Sequence, residues 1–302
     1  YTGKSFDAYE FFGCHTDENG AVFRVFAPAA VRISVIGEFN GWQDTPMNKI
    51  GDGNFWAVYI EGVKPGQMYK YKIYKSDGSC MDHCDPYGYG MELRPASASI
   101  VRNLYGYEFQ DDAWMKKRSN GVASALNIYE IHAGSWKKPQ NGWYRYDELA
   151  TQLVPYLKEY GYNYIELLPI GEHPCDESWG YQCSGFYSPT SRYGTLDDYK
   201  KMIDILHHND IGVVMDFVPV HFALDAYALA KFDGTALYEY PHKDVGNSEW
   251  GSCNFMHSRG EVRSFLQSCA NYWLKEYHVD GLRMDAISNM IYWQGNPADR
   301  KS

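Results

Sequence analysis

The chain has 302 residues, and 28 Lys and Arg against 38 Asp and Glu give it a net charge of −10. That acidic balance argues against nucleic acid or an anionic membrane as partner, because binding phosphate needs a basic patch. The length allows two domains or one large one, and no run of 18 apolar residues predicts a transmembrane span.

Residues 9–105 read as all-β. Alternating runs at 21–26, 31–36 and 69–74 are separated by turn residues that include Asn40-Gly41 and Asp77-Gly78. Short alternating strands at this spacing predict an immunoglobulin-like β-sandwich, assigned to residues 1–110. A connector over 111–125 follows, polar and ending near Asn120-Gly121.

From Leu126 the rhythm changes. A strand-like run, 127–132, precedes a helical pattern from Asp147 to Tyr160 in which Leu149, Leu153, Tyr156 and Leu157 share a face, with Gly161 as its stop. A second strand at 164–169 leads to a helix from Leu196 to about His208, with Thr195 as N-cap. A strand at 212–221, a long loop, a helix from Glu261 to about Tyr277 and a strand at 279–286 complete the series. Near-continuous apolar strands alternating with helices predict a parallel sheet. Four strands are half of a TIM (β/α)8 barrel. Residues 126–302 are therefore read as its first half, about four βα units, in a multidomain β plus α/β chain. The sequence stops about 17 residues after Asp285 and is expected to be a fragment. Its first residue is Tyr1, not Met, and no signal peptide opens it, which leaves an earlier start open.

Polar residues cluster at strand C-terminal ends, where parallel α/β barrels place their chemistry. Arg283 and Asp285 stand two apart on one strand and so share a face. A close guanidinium favours the ionised carboxylate, and an ionised carboxylate at a strand end suits a nucleophile at an anomeric carbon. Arg-x-Asp is a common pattern, and its weight here comes from a second charged strand, which carries Asp216 and then His221.

Seven cysteines are present, and Cys14, Cys175, Cys183, Cys253 and Cys269 show no pairing pattern. The Cys80-Met81-Asp82-His83-Cys84 run lacks the second cluster that a four-ligand zinc site needs. Reduced thiols in a cytoplasmic protein, with no metal and no cofactor, are expected. Aromatic residues make up 17% of the chain; flat rings suit sugar faces and protein cores equally.

The two charged strands resemble the first two catalytic regions of the α-amylase superfamily, glycoside hydrolase family 13. Asp216-Phe217-Val218-Pro219-Val220-His221 matches one region and Gly281-Leu282-Arg283-Met284-Asp285-Ala286 the other. Ser178-Trp179-Gly180-Tyr181-Gln182, the run 187–194 and Lys231-Phe232-Asp233-Gly234-Thr235-Ala236-Leu237-Tyr238-Glu239 look like the glycogen (1,4-α-glucan) branching enzymes of that superfamily. Phe23-Arg24-Val25-Phe26-Ala27-Pro28 and Gly37-Glu38-Phe39-Asn40-Gly41-Trp42 resemble the family 48 carbohydrate-binding module that precedes such barrels.

The resemblance implies a transferase that moves an α-1,4-glucan segment to a 6-hydroxyl, with an α-glucan such as glycogen or amylose as partner. Asp285 would be the nucleophile, positioned by Arg283. Asp216 and His221 would line the subsite of the attacked sugar, above a platform formed by Tyr181. Plainer roles stay open: Asp216 as a structural partner of Arg283, His221 as a core histidine, Tyr181 as packing. Trp42 and Trp56 suit glucan binding or the sandwich core, and His132 and Trp136 are candidates by position only. Val220 offers no oxygen where many amylases bind calcium, so no calcium is expected there. A retaining glycosidase needs a second carboxyl group roughly 5–5.5 Å from the first. Glu166, Glu172 and Glu177 match no family motif for that role, so the chain alone is expected to be inactive. The alternatives are a related hydrolase, debranching or trehalose-releasing, and a non-catalytic glucan-binding protein.

Overall fold

A computed structural model describes residues 2–118, 125–292, 296, 298 and 299. The front of the chain forms β1 (Gly13–Thr16), β2 (Gly20–Phe26), β3 (Arg32–Gly37), β4 (Thr45–Pro46), β5 (Asn48–Ile50), β6 (Phe55–Glu61), β7 (Met68–Tyr74), β8 (Cys80–His83) and β9 (Ser99–Ile100). These make two antiparallel sheets, ordered β1-β2-β6-β5 and β4-β3-β7-β8, with β9 also on β7. Period-two alternation puts Tyr69, Tyr71 and Ile73 of β7 in the core and leaves Lys70 and Lys72 nearer solvent. Ile33 and Val35 stand beside them on β3, and Phe23 and Val25 of β2 come from the other sheet. Within this core the Asp85 carboxylate accepts from the Tyr69 and Tyr71 hydroxyls at 2.7 and 3.0 Å.

The rest of the described chain runs α1 (Asp112–Arg118), β10 (Ile128–Ile131), α2 (Tyr146–Glu159), β11 (Tyr164–Leu167), β12 (Gly171–Glu172), β13 (Gly185–Pro189), α3 (Leu196–His208), β14 (Gly212–Phe217), β15 (His221–Phe222), α4 (Lys243–Gly246), β16 (Cys253–Asn254), α5 (Gly260–Glu276), β17 (Gly281–Met284) and α6 (Ile287–Ile291). The sheet β10-β11-β14-β17 is parallel throughout and in sequence order, as repeated βα units dictate. Leu149, Leu153 and Leu157 form the buried stripe of α2. Thr195 caps α3 reciprocally: its hydroxyl accepts from Asp198 N–H, and the Asp198 carboxylate accepts from Thr195 N–H at 2.7 Å.

Two strands are shorter than their apolar runs suggest. β14 ends at Phe217, before Pro219, which has no N–H for the ladder, and His221 begins a separate pair with β16. β17 covers Gly281–Met284, so Asp285 sits one residue past its end.

Within the stretch read as connector, α1 docks against the N-terminal end of the sheet. Trp114 Nε1 donates to Asp280 Oδ1 at 2.8 Å, and the carboxylates of Asp111 and Asp280 hold the buried His207 ring between them. Asn120 and Gly121 lie outside the described residues. The sandwich packs directly on the α/β part. The ring of Tyr89 stacks on that of Tyr272, 5.6 Å between centroids, and the Tyr9 hydroxyl donates to Glu276 at 2.6 Å.

Candidate active site

The C-terminal ends of β14 and β17 build the site. Asp216 and Arg283 are register partners on these adjacent strands, so both side chains leave the same face. Arg283 Nη1 reaches Asp285 Oδ1 at 2.7 Å and Asp216 Oδ2 at 3.3 Å, placing one guanidinium nitrogen between two carboxylates. Asp285 N–H donates to Phe217 O at 3.0 Å, which continues the strand pairing past β17 and fixes where the carboxylate begins.

Tyr181 arrives from the loop after β12. Gly180 beside it has φ +92°, and a Cβ there would stand 2.3 Å from Pro169 O, so only glycine lets the loop turn in this closely. The Tyr181 hydroxyl then donates to Asp216 Oδ2 at 2.5 Å. The other oxygen, Asp216 Oδ1, is buried and has no hydrogen-bond partner. Burial pushes the Asp216 carboxyl up to about 6, against the opposing pull of the Tyr181 hydroxyl and the Arg283 charge.

His221 is 3% exposed, its Nδ1 lies 2.9 Å from Ser252 Oγ, and its ring meets Trp250 at 5.2 Å between centroids. Burial lowers the basicity of the ring, opposed by the Asp285 charge. Tyr181, His221 and Asp285 line one cleft of about 590 Å3, together with Gln182, Glu249 and Trp250. The structure thus brings together all five sequence-derived site residues, Tyr181, Asp216, His221, Arg283 and Asp285.

Trp250, Gln182, Ser252 and Glu249 were missed by the sequence reading. In the structure Trp250, within the polar run Asn247-Ser248-Glu249-Trp250-Gly251-Ser252, is 45% exposed. The other candidates fall elsewhere. Trp56 is 4% exposed and donates to Ala27 O at 3.0 Å, which makes it a core residue, whereas Trp42 is exposed. Trp136 donates to the Tyr129 hydroxyl, and His132 lines a neighbouring pocket of about 240 Å3 with Trp143 and Trp179. Glu172 is buried and bound to Arg192, Thr190 and Ser191, a structural set of partners. Glu166 faces Glu130 across the β10–β11 register; burial raises its carboxyl and the Glu130 charge adds to the rise. Glu177 is exposed and paired with Cys175.

Residues 11–88 match the family model of carbohydrate-binding module 48 (isoamylase N-terminal domain), and residues 149–244 match that of the α-amylase catalytic domain. The sandwich thus matches a family 48 module and the parallel sheet part of an α-amylase catalytic domain. The second match includes Tyr181, Asp216 and His221. Over its full length the chain is 45% identical to a 1,4-alpha-glucan branching enzyme of Fusobacterium nucleatum, covering 50% of that protein. It is 47% identical to one of Nitrosospira multiformis, with 96% of this chain and 40% of that protein aligned. The chain therefore spans about half the length, or less, of the curated relatives it matches. The solved pullulanase of Bacillus acidopullulyticus superposes with a TM-score of 0.71 at 22% identity, over 92% of this chain and 38% of that one, a likeness of fold. The sandwich and the parallel sheet thus recur together in a larger protein.

Proposed function

We propose that the protein to which this chain belongs is a 1,4-α-glucan branching enzyme of the cytoplasm. Asp285 attacks C1 of a glucose unit within an α-1,4-glucan and holds the cleaved segment as a covalent ester. The 6-hydroxyl of another chain then displaces Asp285, which leaves an α-1,6 branch with retained configuration. Arg283 holds the Asp285 carboxylate aimed at the cleft. Asp216, gripped by Tyr181, and His221, steadied by Ser252, bind hydroxyls of the attacked sugar, and Tyr181 and Trp250 offer it ring faces. The second carboxyl group, the general acid and base, comes from the part of the relatives' length that this chain does not span. Residues 1–110 act as the glucan-binding module and 126–302 as the N-terminal half of the catalytic barrel.

The observation that carries this reading is the single Arg283 nitrogen between Asp285 and Asp216 at the ends of adjacent parallel strands, beside an aromatic-lined cleft. The free state of all seven cysteines fits a reducing compartment. Incubation of the whole protein with amylose tests the proposal. New α-1,6 linkages with little new reducing sugar are expected; mostly free oligosaccharide would make it a hydrolase instead.

A further inference from the structure

A third cavity, of about 340 Å3, lies between the sandwich and the long loop after β15. Three lysines line it: Lys75 from the end of the sandwich sheet, Lys231 and Lys243 from the loop. None of the three makes a side-chain hydrogen bond or ion pair among the described residues, in a chain whose net charge is −10. Unpaired ammonium groups gathered from separate segments around one cavity suit a bound anion, since each supplies three donors and a compact charge.

A second observation restricts that anion. Glu239 lines the same cavity and is 5% exposed. Its Oε1 accepts from Lys231 N–H at 2.8 Å, whereas its Oε2 is buried without a hydrogen-bond partner. A buried carboxylate oxygen left without a donor is costly, and a ligand hydroxyl would satisfy it. Met81 and Tyr240 add an apolar wall. The volume sits at the lower end of the range for small-molecule sites.

We infer that this cavity is a binding site for a small phosphorylated polyol: the lysines take the phosphate, and Glu239 Oε2 takes a hydroxyl. The site shares no lining residue with the Asp285 cleft and is linked to it through the β15–β16 pair. Cys253 lines the cavity and pairs with Phe222, while Ser252 next to it holds His221.

Calorimetric titration of the whole protein with glucose 6-phosphate, inorganic phosphate and glucose tests this. Glucose 6-phosphate is expected to bind saturably and at least tenfold more tightly than either other probe. The double variant Lys231→Gln/Lys243→Gln changes two exposed side chains and should weaken glucose 6-phosphate at least tenfold with circular dichroism unchanged. Glu239→Gln should weaken glucose 6-phosphate but leave inorganic phosphate as it was. A maltotetraose carrying one 6-phosphate distinguishes the source: binding equal to glucose 6-phosphate assigns the site to phosphorylated glucan chains, weaker binding to free sugar phosphates. No saturation with glucose 6-phosphate in the millimolar range, or unchanged affinity in the lysine variant, overturns the inference.

Discussion

The Tyr181 hydroxyl donates to Asp216 Oδ2 at 2.5 Å while Asp216 Oδ1 is buried without a partner. Asp216 therefore depends on one tyrosine for its neutral hydrogen bond, and on Arg283 for the rest. A donor to the ionised form lowers a carboxyl pKa, so Tyr181→Phe should raise that of Asp216 from its already elevated value of about 6. A hydrogen bond to a charged group is worth about 1.5–3 kcal/mol, which corresponds to a shift of about one to two pH units. If ionised Asp216 binds the sugar, activity is lost as pH falls through this pKa. The acid limb of kcat/KM in the whole protein should then move upward by that amount, with a far smaller loss on the alkaline side. An acid limb that stays in place would separate Asp216 from the reaction.

Asp285 has a different expected signature. Its Oδ1 accepts from Arg283 at 2.7 Å and its side chain is 19% exposed, which suits a carboxylate open to substrate and held on one side. Removing a nucleophile removes the covalent route, and losses of about 10⁴–10⁶-fold in kcat are typical of such deletions. Asp285→Asn should lose branching activity on that scale while glycogen still binds through the family 48 module. Retention of more than about a hundredth of the activity would point to another nucleophile.

Much of this geometry was legible in the sequence, for identifiable reasons. Strand periodicity alone puts Arg283 and Asp285 on one face, and the βα rhythm puts the Asp216 strand beside theirs. Tyr181 joined the set only through a resemblance, because its approach to Asp216 depends on a turn at Gly180 against Pro169 that no local pattern announces. Trp250 and Ser252 were out of reach for the same reason. They meet His221 through the β15–β16 pairing, about 30 residues apart in sequence and inside a loop without periodicity. The strand ends were overextended because apolar residues continue past Phe217, whereas the ladder stops where Pro219 has no donor.

His207 gives a prediction at the opposite end of the sheet. Asp111 Oδ2 lies 2.7 Å from its Nδ1 and Asp280 Oδ2 lies 3.0 Å from its Nε2, so each ring nitrogen faces a buried carboxylate oxygen. His207→Leu would remove the ring and leave both carboxylates short of a partner. Asp280 keeps Trp114 and the Val213 N–H, and Asp111 keeps His278, so the loss should fall near the lower end of the 3–5 kcal/mol range for broken buried pairs, about 3 kcal/mol. Urea denaturation of the whole protein measures it. kcat at a temperature where both forms are folded should be unchanged, because this end of a barrel serves stability. A loss below about 1 kcal/mol would show that the cluster contributes little.

The parallel sheet carries its own consequence for the 302-residue chain studied alone. Its outer strands are β10 and β17, and they present Ile128 at 41% exposure and Met284 at 43%, followed by Ile287 and Ile291 in α6. A closed barrel has no such edges; an open one offers unpaired N–H and C=O groups beside apolar side chains, a template for pairing with another copy. At about 10 μM the isolated chain should elute from size exclusion as a broad, concentration-dependent distribution, whereas the whole protein should give one sharp species. Met284→Lys places a charge on the β17 edge and should shift the isolated chain toward its monomer, since edge charges oppose strand addition. A monodisperse wild-type chain with sharp, reversible unfolding would show that these edges are already protected.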